Sequence, residues 1–198
     1  AKYFGHKIIA KFMDENPNIK TFISVAPREI ILKQLSSYEI ELAITGTIPI
    51  NTELDTKAFG DHPIIFIASP NSPLIKRKNI KKTELIHQNI LTREAGSGTL
   101  NTLQSFLDET KEAYEPALTE VGSNETIKQA VISNLGIAMI SEHCCINEIR
   151  HNIVKKLNVE GMPIIKKWYV TKLKNRQLSA SAGLLFEFIY ENGDEFIP

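Results

Sequence analysis

The sequence predicts an α/β fold built as two lobes. Helical and extended hydrophobic patterns alternate along all 198 residues, and strands that alternate with helices make mainly parallel sheets. Two further segments, SPNSP at 69–73 and NVEGMP at 158–163, stand where a chain would leave a first lobe, build a second and return. That gives a partition of residues 1–68 with 162–198 as lobe I and 69–161 as lobe II. Two crossings make a two-strand hinge, and lobes joined that way close around small molecules.

Each element has its own signal. Phe4, Ile8, Ile9, Phe12 and Met13 recur at helical spacing and stop before Asn16-Pro17, where a proline ends a helix. IKTFISV at 19–25 reads as a strand, REIILKQLSS at 28–37 as a helix and IELAIT at 40–45 as a strand. Further strands are expected near 63–69, 88–92 and 117–122. LNTLQSFLDET at 100–110 carries Leu100, Leu103, Phe106 and Leu107 on one helical face. NETIKQAVISNL at 124–135 is the next helix, released by Gly136 into the strand IAMIS. PIIKKWYVT at 163–171 is extended, and LSASAGLLFEFIYEN at 178–192 closes the chain as a helix.

Composition removes several classes of function. Apolar residues make up 42% and charged residues 23%, the balance of a soluble globular protein. Lys plus Arg and Asp plus Glu are equal at 23 each, without the basic excess of a self-sufficient DNA-binding domain. The longest apolar runs, PIIFIA at 63–68 and LGIAMI at 135–140, are far too short to span a bilayer. No signal peptide opens the sequence, and a cytoplasmic location is expected. Cys144 and Cys145 are adjacent, a spacing that disfavours a disulfide between them and suits reduced thiols. Neither a metal nor a cofactor is expected, because His6, His62, His87, His143 and His151 show no zinc-ligand spacing with the cysteines. No catalytic arrangement of nucleophile and base can be read from the residue order.

The stretch LTREAGSGTL at 91–100 carries the most chemistry. A Gly-Ser-Gly-Thr turn feeding a helix leaves backbone N–H groups unpaired at the positive end of the helix dipole, a terminus that suits an anion. Ser and Thr are also ordinary N-caps and Gly an ordinary turn residue, so the pattern by itself favours simple capping. Neither nucleotide motif is present: Asn101 stands where G-x-G-x-x-G needs its third glycine, and no Lys follows Gly98. Gly122-Ser123-Asn124-Glu125-Thr126 opens a second helix with the same dual reading.

Several segments together resemble one family. LTREAGSGT, VGSNETIKQAVISNLGIAMIS at 121–141 and VEGMPIIKKWYV at 159–170, with AKYF at the start, look like the effector-binding domain of LysR-type transcriptional regulators. Within it they look most like the regulators of the RuBisCO (Calvin cycle) operon. The resemblance runs in order through essentially the whole chain. It implies two Rossmann-like lobes in a fold like the type 2 periplasmic binding proteins, an effector held between them, and a homodimer, or a tetramer in the full-length protein. DNA binding would belong to an N-terminal winged helix-turn-helix that nothing here resembles. The family's first lobe also opens with a strand just before the residues matching AKYF. A sheet lacking that inner strand would leave apolar side chains and backbone groups unpaired, so the strand is expected ahead of residue 1 or from another chain.

The resemblance also reweighs the site. It implies that the turn Gly96, Ser97, Gly98 and Thr99 holds an anion, with Arg93 approaching a phosphate, and that Ser123 and Asn124 reach ligand hydroxyls. From the other lobe it brings Lys2, Arg28, and Thr45 and Gly46 at the end of IELAIT, while His143 lines the site or merely satisfies local backbone. Ala1 and Lys2 would face the ligand once the opening strand is in place. The expected effector is a small anionic metabolite: a sugar bisphosphate such as ribulose bisphosphate, NADPH or phosphoenolpyruvate. Two other classes share the fold, a solute receptor of a transport system and an enzyme.

Overall fold

A computed structural model describes residues 2–48, 53–108 and 117–198. Along the chain run α1 (Gly5–Glu15), α2 (Arg28–Ser36), β1 (Ala43–Thr45), β2 (Leu54–Ala68), α3 (Lys82–Leu85), β3 (Asn89–Thr92) and α4 (Gly98–Asp108). β4 (Ala117–Glu120), α5 (Asn124–Ile132), β5 (Ile137–Ser141), α6 (Ile146–Arg150), β6 (Lys155–Lys156), β7 (Ile164–Leu173) and α7 (Ala180–Asn192) follow. The chain divides into two compact units, Ala1–His62 with Lys166–Pro198, and Pro63–Ile165. Both divisions fall inside strands, β2 and β7.

The first unit is organised by aromatic packing. Ile8 and Phe12 bury one face of α1. Asn16 stops that helix by donating Nδ2 to the Phe12 carbonyl at 3.0 Å, with Pro17 next in sequence. Phe4 meets Trp168 edge-on at 5.0 Å, and these two join Ile8, Phe59, Val170, Phe186 and Ile189 in a single core. β1 pairs antiparallel with β7, Ala43 opposite Thr171 and Thr45 opposite Tyr169. The Ser179 hydroxyl caps α7 by accepting from the Ala182 amide at 3.2 Å and donates to Glu41 at 2.9 Å. The Ser179 amide also donates to Glu41 and, with that hydroxyl, holds its carboxyl below the usual carboxylate range.

The second unit carries the parallel strands. β3 pairs in parallel with β4 and with β5, while β2 pairs antiparallel with β5 and β6. Ile64, Phe66, Ile90, Ile137 and Met139 from the sheet pack with Leu103, Phe106 and Leu107 of α4 and with Leu157 and Val159. Lys128, only 4% exposed, ties α5 to α6 through Glu148 at 2.6 Å and reaches Glu125 at 3.0 Å. Burial by itself would lower its pKa, but the two carboxylates raise it above the ordinary value.

Three expectations need correction. The sheet is not mainly parallel, since β1–β7, β2–β5 and β2–β6 are all antiparallel; β2 adds to β5 running the opposite way. Residues 19–25 form no strand among the described residues. Phe22, Ile23 and Val25 are 89%, 50% and 68% exposed, and a groove of about 510 Å³ lies between this segment and residues 39–44. Alternating apolar residues make a strand only where a neighbour supplies ladder partners. The strand predicted over 40–45 is confined to Ala43–Thr45. The expected helix over 100–110 is α4, with residues 109 and 110 outside the described residues, as is Ala1.

Candidate effector site

The C-terminal ends of β3, β4 and β5, all in the second unit, are where α/β sheets gather ligands. Each ends in a turn that carries predicted residues. Past β3, Arg93 is held in a tight pair: its Nε and Nη2 donate to the two oxygens of Glu94, both at 2.6 Å. Its Nη1 donates to Asn124 Oδ1 at 3.3 Å. The Arg93 guanidinium keeps the Glu94 carboxyl below the usual range, against the opposing effect of burial. Asn124, the first residue of α5, uses the other end of its amide to donate to Cys144 Sγ at 3.3 Å. One polar chain, Glu94–Arg93–Asn124–Cys144, thus links the turns after all three strands.

The turn into α4 follows at once. Gly96 has φ 85°, the left-handed region that glycine enters without strain. Ser97 Oγ accepts from the Leu100 amide at 3.1 Å, and the Ser97 carbonyl accepts from Asn101. These bonds leave the amides of Gly98 and Thr99 as first-turn donors with no carbonyl one turn behind them. The Ser97 hydroxyl accepts one bond and retains its proton for donation. Ser123 repeats the pattern at α5, accepting from the Thr126 amide at 3.1 Å. Both serines are therefore caps, as their residue type alone suggests, and the Ser123 hydroxyl also shares a hydrogen bond with the Thr126 hydroxyl at 2.9 Å.

His143 lies in the turn after β5, 7% exposed. Burial lowers its pKa below 6.5, with Glu142 opposing. Burial likewise raises the thiol pKa of both Cys144 and Cys145. Both remain protonated at neutral pH, which makes them poor nucleophiles. Among the described residues no three His, Cys, Asp or Glu side chains are grouped so as to hold a metal.

The first unit presents a separate set. Thr45 is buried beside Thr171, with hydroxyls 3.5 Å apart. A Cβ at Gly46 would come within 2.8 Å of Cε1 and 2.9 Å of Nδ1 of His62, whose ring stacks on Trp168 at 3.9 Å. The need for glycine there comes from packing. Arg28 opens α2, and its Nη2 donates to the Ile48 carbonyl at 3.4 Å, joining it to the stretch after Thr45 and Gly46. Its Nε is buried without a hydrogen-bond partner among the described residues. Lys2 is exposed and lines the groove beside residues 19–25, which Arg28 does not line.

Sequence reasoning missed Glu94 and Cys144. Glu94 was legible, because an acidic residue directly follows Arg93 in LTREAGSGT. Cys144 carried no signal, since its contact with Asn124 bridges 20 positions.

A two-unit α/β chain whose connecting segments are strands, with helix N-termini and polar turns at the strand ends, is built like the type 2 periplasmic binding proteins. The family model for the LysR substrate binding domain matches residues 1–194, and the chain belongs to that family. It is 35% identical over 199 residues to the HTH-type transcriptional regulator CbbR of Xanthobacter flavus, covering 100% of this chain and 60% of that protein. To the RuBisCO operon transcriptional regulator of Allochromatium vinosum it is 32% identical, covering 94% and 62%. The chain thus spans less than two thirds of these relatives, which are transcriptional regulators and not enzymes. Among solved structures, the regulatory domain of Synechocystis PCC6803 CcmR, in complex with 2-PG, matches with a TM-score of 0.87 and 30% identity over 97% of this chain and 93% of that one. The effector-binding domain of QuiR, in complex with shikimate, matches in fold at a TM-score of 0.83 and 18% identity over 97% and 91%. Among the described residues no helix is long and apolar enough to cross a membrane.

Proposed function

We propose that this chain is the sensing part of a cytoplasmic, homodimeric transcriptional regulator. It binds a small phosphorylated metabolite and thereby controls DNA binding by a helix-turn-helix elsewhere in the full protein. The observation that carries the ligand class is the start of α4, where the Gly98 and Thr99 amides and the Ser97 hydroxyl are donors at a helix N-terminus, the setting that favours phosphate. The similarity to a CcmR domain bound to 2-PG, which is 2-phosphoglycolate, supports the same class. In this reading Ser97, Gly98 and Thr99 take the phosphate, Arg93 and Asn124 orient it, and Ser123 and His143 meet the rest of the ligand. Lys2, Arg28, Thr45 and Gly46 complete the binding set. Only contacts stronger in one conformation than another let such a ligand shift a population.

A thermal-shift panel tests this, with 2-phosphoglycolate, ribulose bisphosphate, NADPH, phosphoenolpyruvate and sulfate as a control. A ligand at 100 times its Kd adds about 2.7 kcal/mol of stability. One phosphorylated compound stabilising well beyond sulfate supports the reading, and losing about 0.5–1.5 kcal/mol of its binding in Ser97→Ala, with less lost in Thr99→Ala because the Thr99 amide remains, assigns the subsite. No shift with any of them, from a protein that still melts cooperatively, rejects the phosphorylated effector. Light scattering that finds only monomer at high concentration rejects the dimer.

A further inference from the structure

We propose that Glu94 is a resident counter-ion which sets a threshold that an anion must exceed to reach Arg93, one that doubly charged phosphate passes and simple carboxylates do not. This deepens the effector reading above and rests on it. The geometry is specific. Arg93 offers its Nε–Nη2 edge to both oxygens of Glu94 at 2.6 Å, the fork pairing by which arginine recognises carboxylates. Its remaining terminal nitrogen is fixed on Asn124 Oδ1, and Asn124 is itself anchored through Nδ2 to Cys144. The Glu94 backbone is held as well, its carbonyl accepting from the Ser97 amide at 3.2 Å within the turn that leads to the Gly98 and Thr99 amides. The positive charge of Arg93 is therefore already cancelled.

The consequence is a charge threshold. A ligand carboxylate that replaced Glu94 on the guanidinium would exchange one singly charged fork acceptor for another and gain nothing. A phosphate monoester carries about two charges and three acceptor oxygens, so it can displace the carboxylate, or share the guanidinium with it, and still gain. Glu94 thus holds down affinity for every anion that must displace it from Arg93.

The test is isothermal titration of the intact chain with inorganic phosphate, at mildly alkaline pH where it is dianionic, and with acetate at equal ionic strength. Glu94→Gln and Glu94→Ala should each bind both anions about tenfold more tightly, the size of effect expected when one adjacent like charge is removed. Phosphate should gain at least as much as acetate, because the removed negative charge repels a dianion more strongly than a monoanion. Unchanged or weaker binding of both anions by both variants, with native melting, overturns the proposal and makes Glu94 a prop for the Arg93 side chain. A readout without mutation guards against misfolded variants: in the wild-type protein the Arg93 Nε–H resonance should move on adding phosphate and stay put on adding acetate. Equal movement, or none, also overturns it. The two readings fail separately. Tight binding of 2-phosphoglycolate by wild type with no gain in the Glu94 variants removes only this inference. A gain in the variants with no phosphorylated metabolite bound by wild type removes the effector reading and leaves the counter-ion in place.

Discussion

Gly46 and His143 show how a residue named for a ligand can owe its identity to packing. The His62 ring, stacked on Trp168, fills the space where a side chain at Gly46 would begin. Gly46→Ala should therefore cost about 1–3 kcal/mol through overpacking, measured by denaturant unfolding with no ligand present; an unchanged midpoint would return Gly46 to the ligand's account. His143 is buried, with its pKa below 6.5, so folding favours its neutral form. That contribution is fully present above 6.5 and is lost as pH falls from there toward the lower folded-state pKa, because the unfolded chain then binds the extra proton. Melting temperatures across the weakly acidic range should fall less steeply in His143→Gln than in wild type, and parallel curves would count against this assignment. Glu94 has the same sign in a lower window. Its depressed pKa means the pair with Arg93 stabilises above the ordinary carboxylate value of 4.5 and is lost below it, weakly, given that the carboxylate is 36% exposed.

At the scale of elements, periodicity located helices well because a helix satisfies its backbone internally. α1, α2 and α7 lie where their apolar spacing and stop signals put them, while α5 ends earlier than expected, at Ile132, and the chain turns through Asn134 at φ 59° before it reaches Gly136. A Cβ at Gly136 would run into the Asn89 carbonyl oxygen of β3, so the glycine is what lets the two strands approach. Strands depend on partners, and partners are not written in the segment itself. IKTFISV has the alternation of a strand but lacks a ladder among the described residues, whereas β2 begins at Leu54, well before its apolar run. The same limit applies to the site. Turns opening on Ser97 and Ser123 were legible as caps, while the chain Glu94–Arg93–Asn124–Cys144 depends on which strand ends lie side by side. Hydrogen exchange checks the element-level reading: amides of residues 20–26 should exchange at near-unprotected rates, and those of β3 and β5, in the middle of the second unit's sheet, among the slowest. Strong protection over 20–26 would mean that a ladder forms there in solution.

For the molecule as a whole, each unit carries a core of its own among the described residues, and these cores share no residue. Phe4, Ile8, Phe59, Trp168, Val170, Phe186 and Ile189 belong to the first, while the core of the second is drawn entirely from between Ile64 and Ile164. The first unit is made of two separated chain segments and the second of one continuous stretch, Pro63–Ile165. A continuous domain of about 100 residues with its own core is large enough to fold alone. A fragment of residues 63–165 should therefore show a cooperative thermal transition, followed by circular dichroism, although the first unit could not be made this way. It also keeps Arg93, Glu94, Ser97, Thr99, Asn124 and Cys144 together, so it should retain the response of the Arg93 Nε–H resonance to phosphate. A fragment that melts without cooperativity would show that the second core needs the first. One that folds but ignores phosphate, when the intact chain responds, would place an essential part of the anion site among Lys2, Arg28, Thr45 and Gly46.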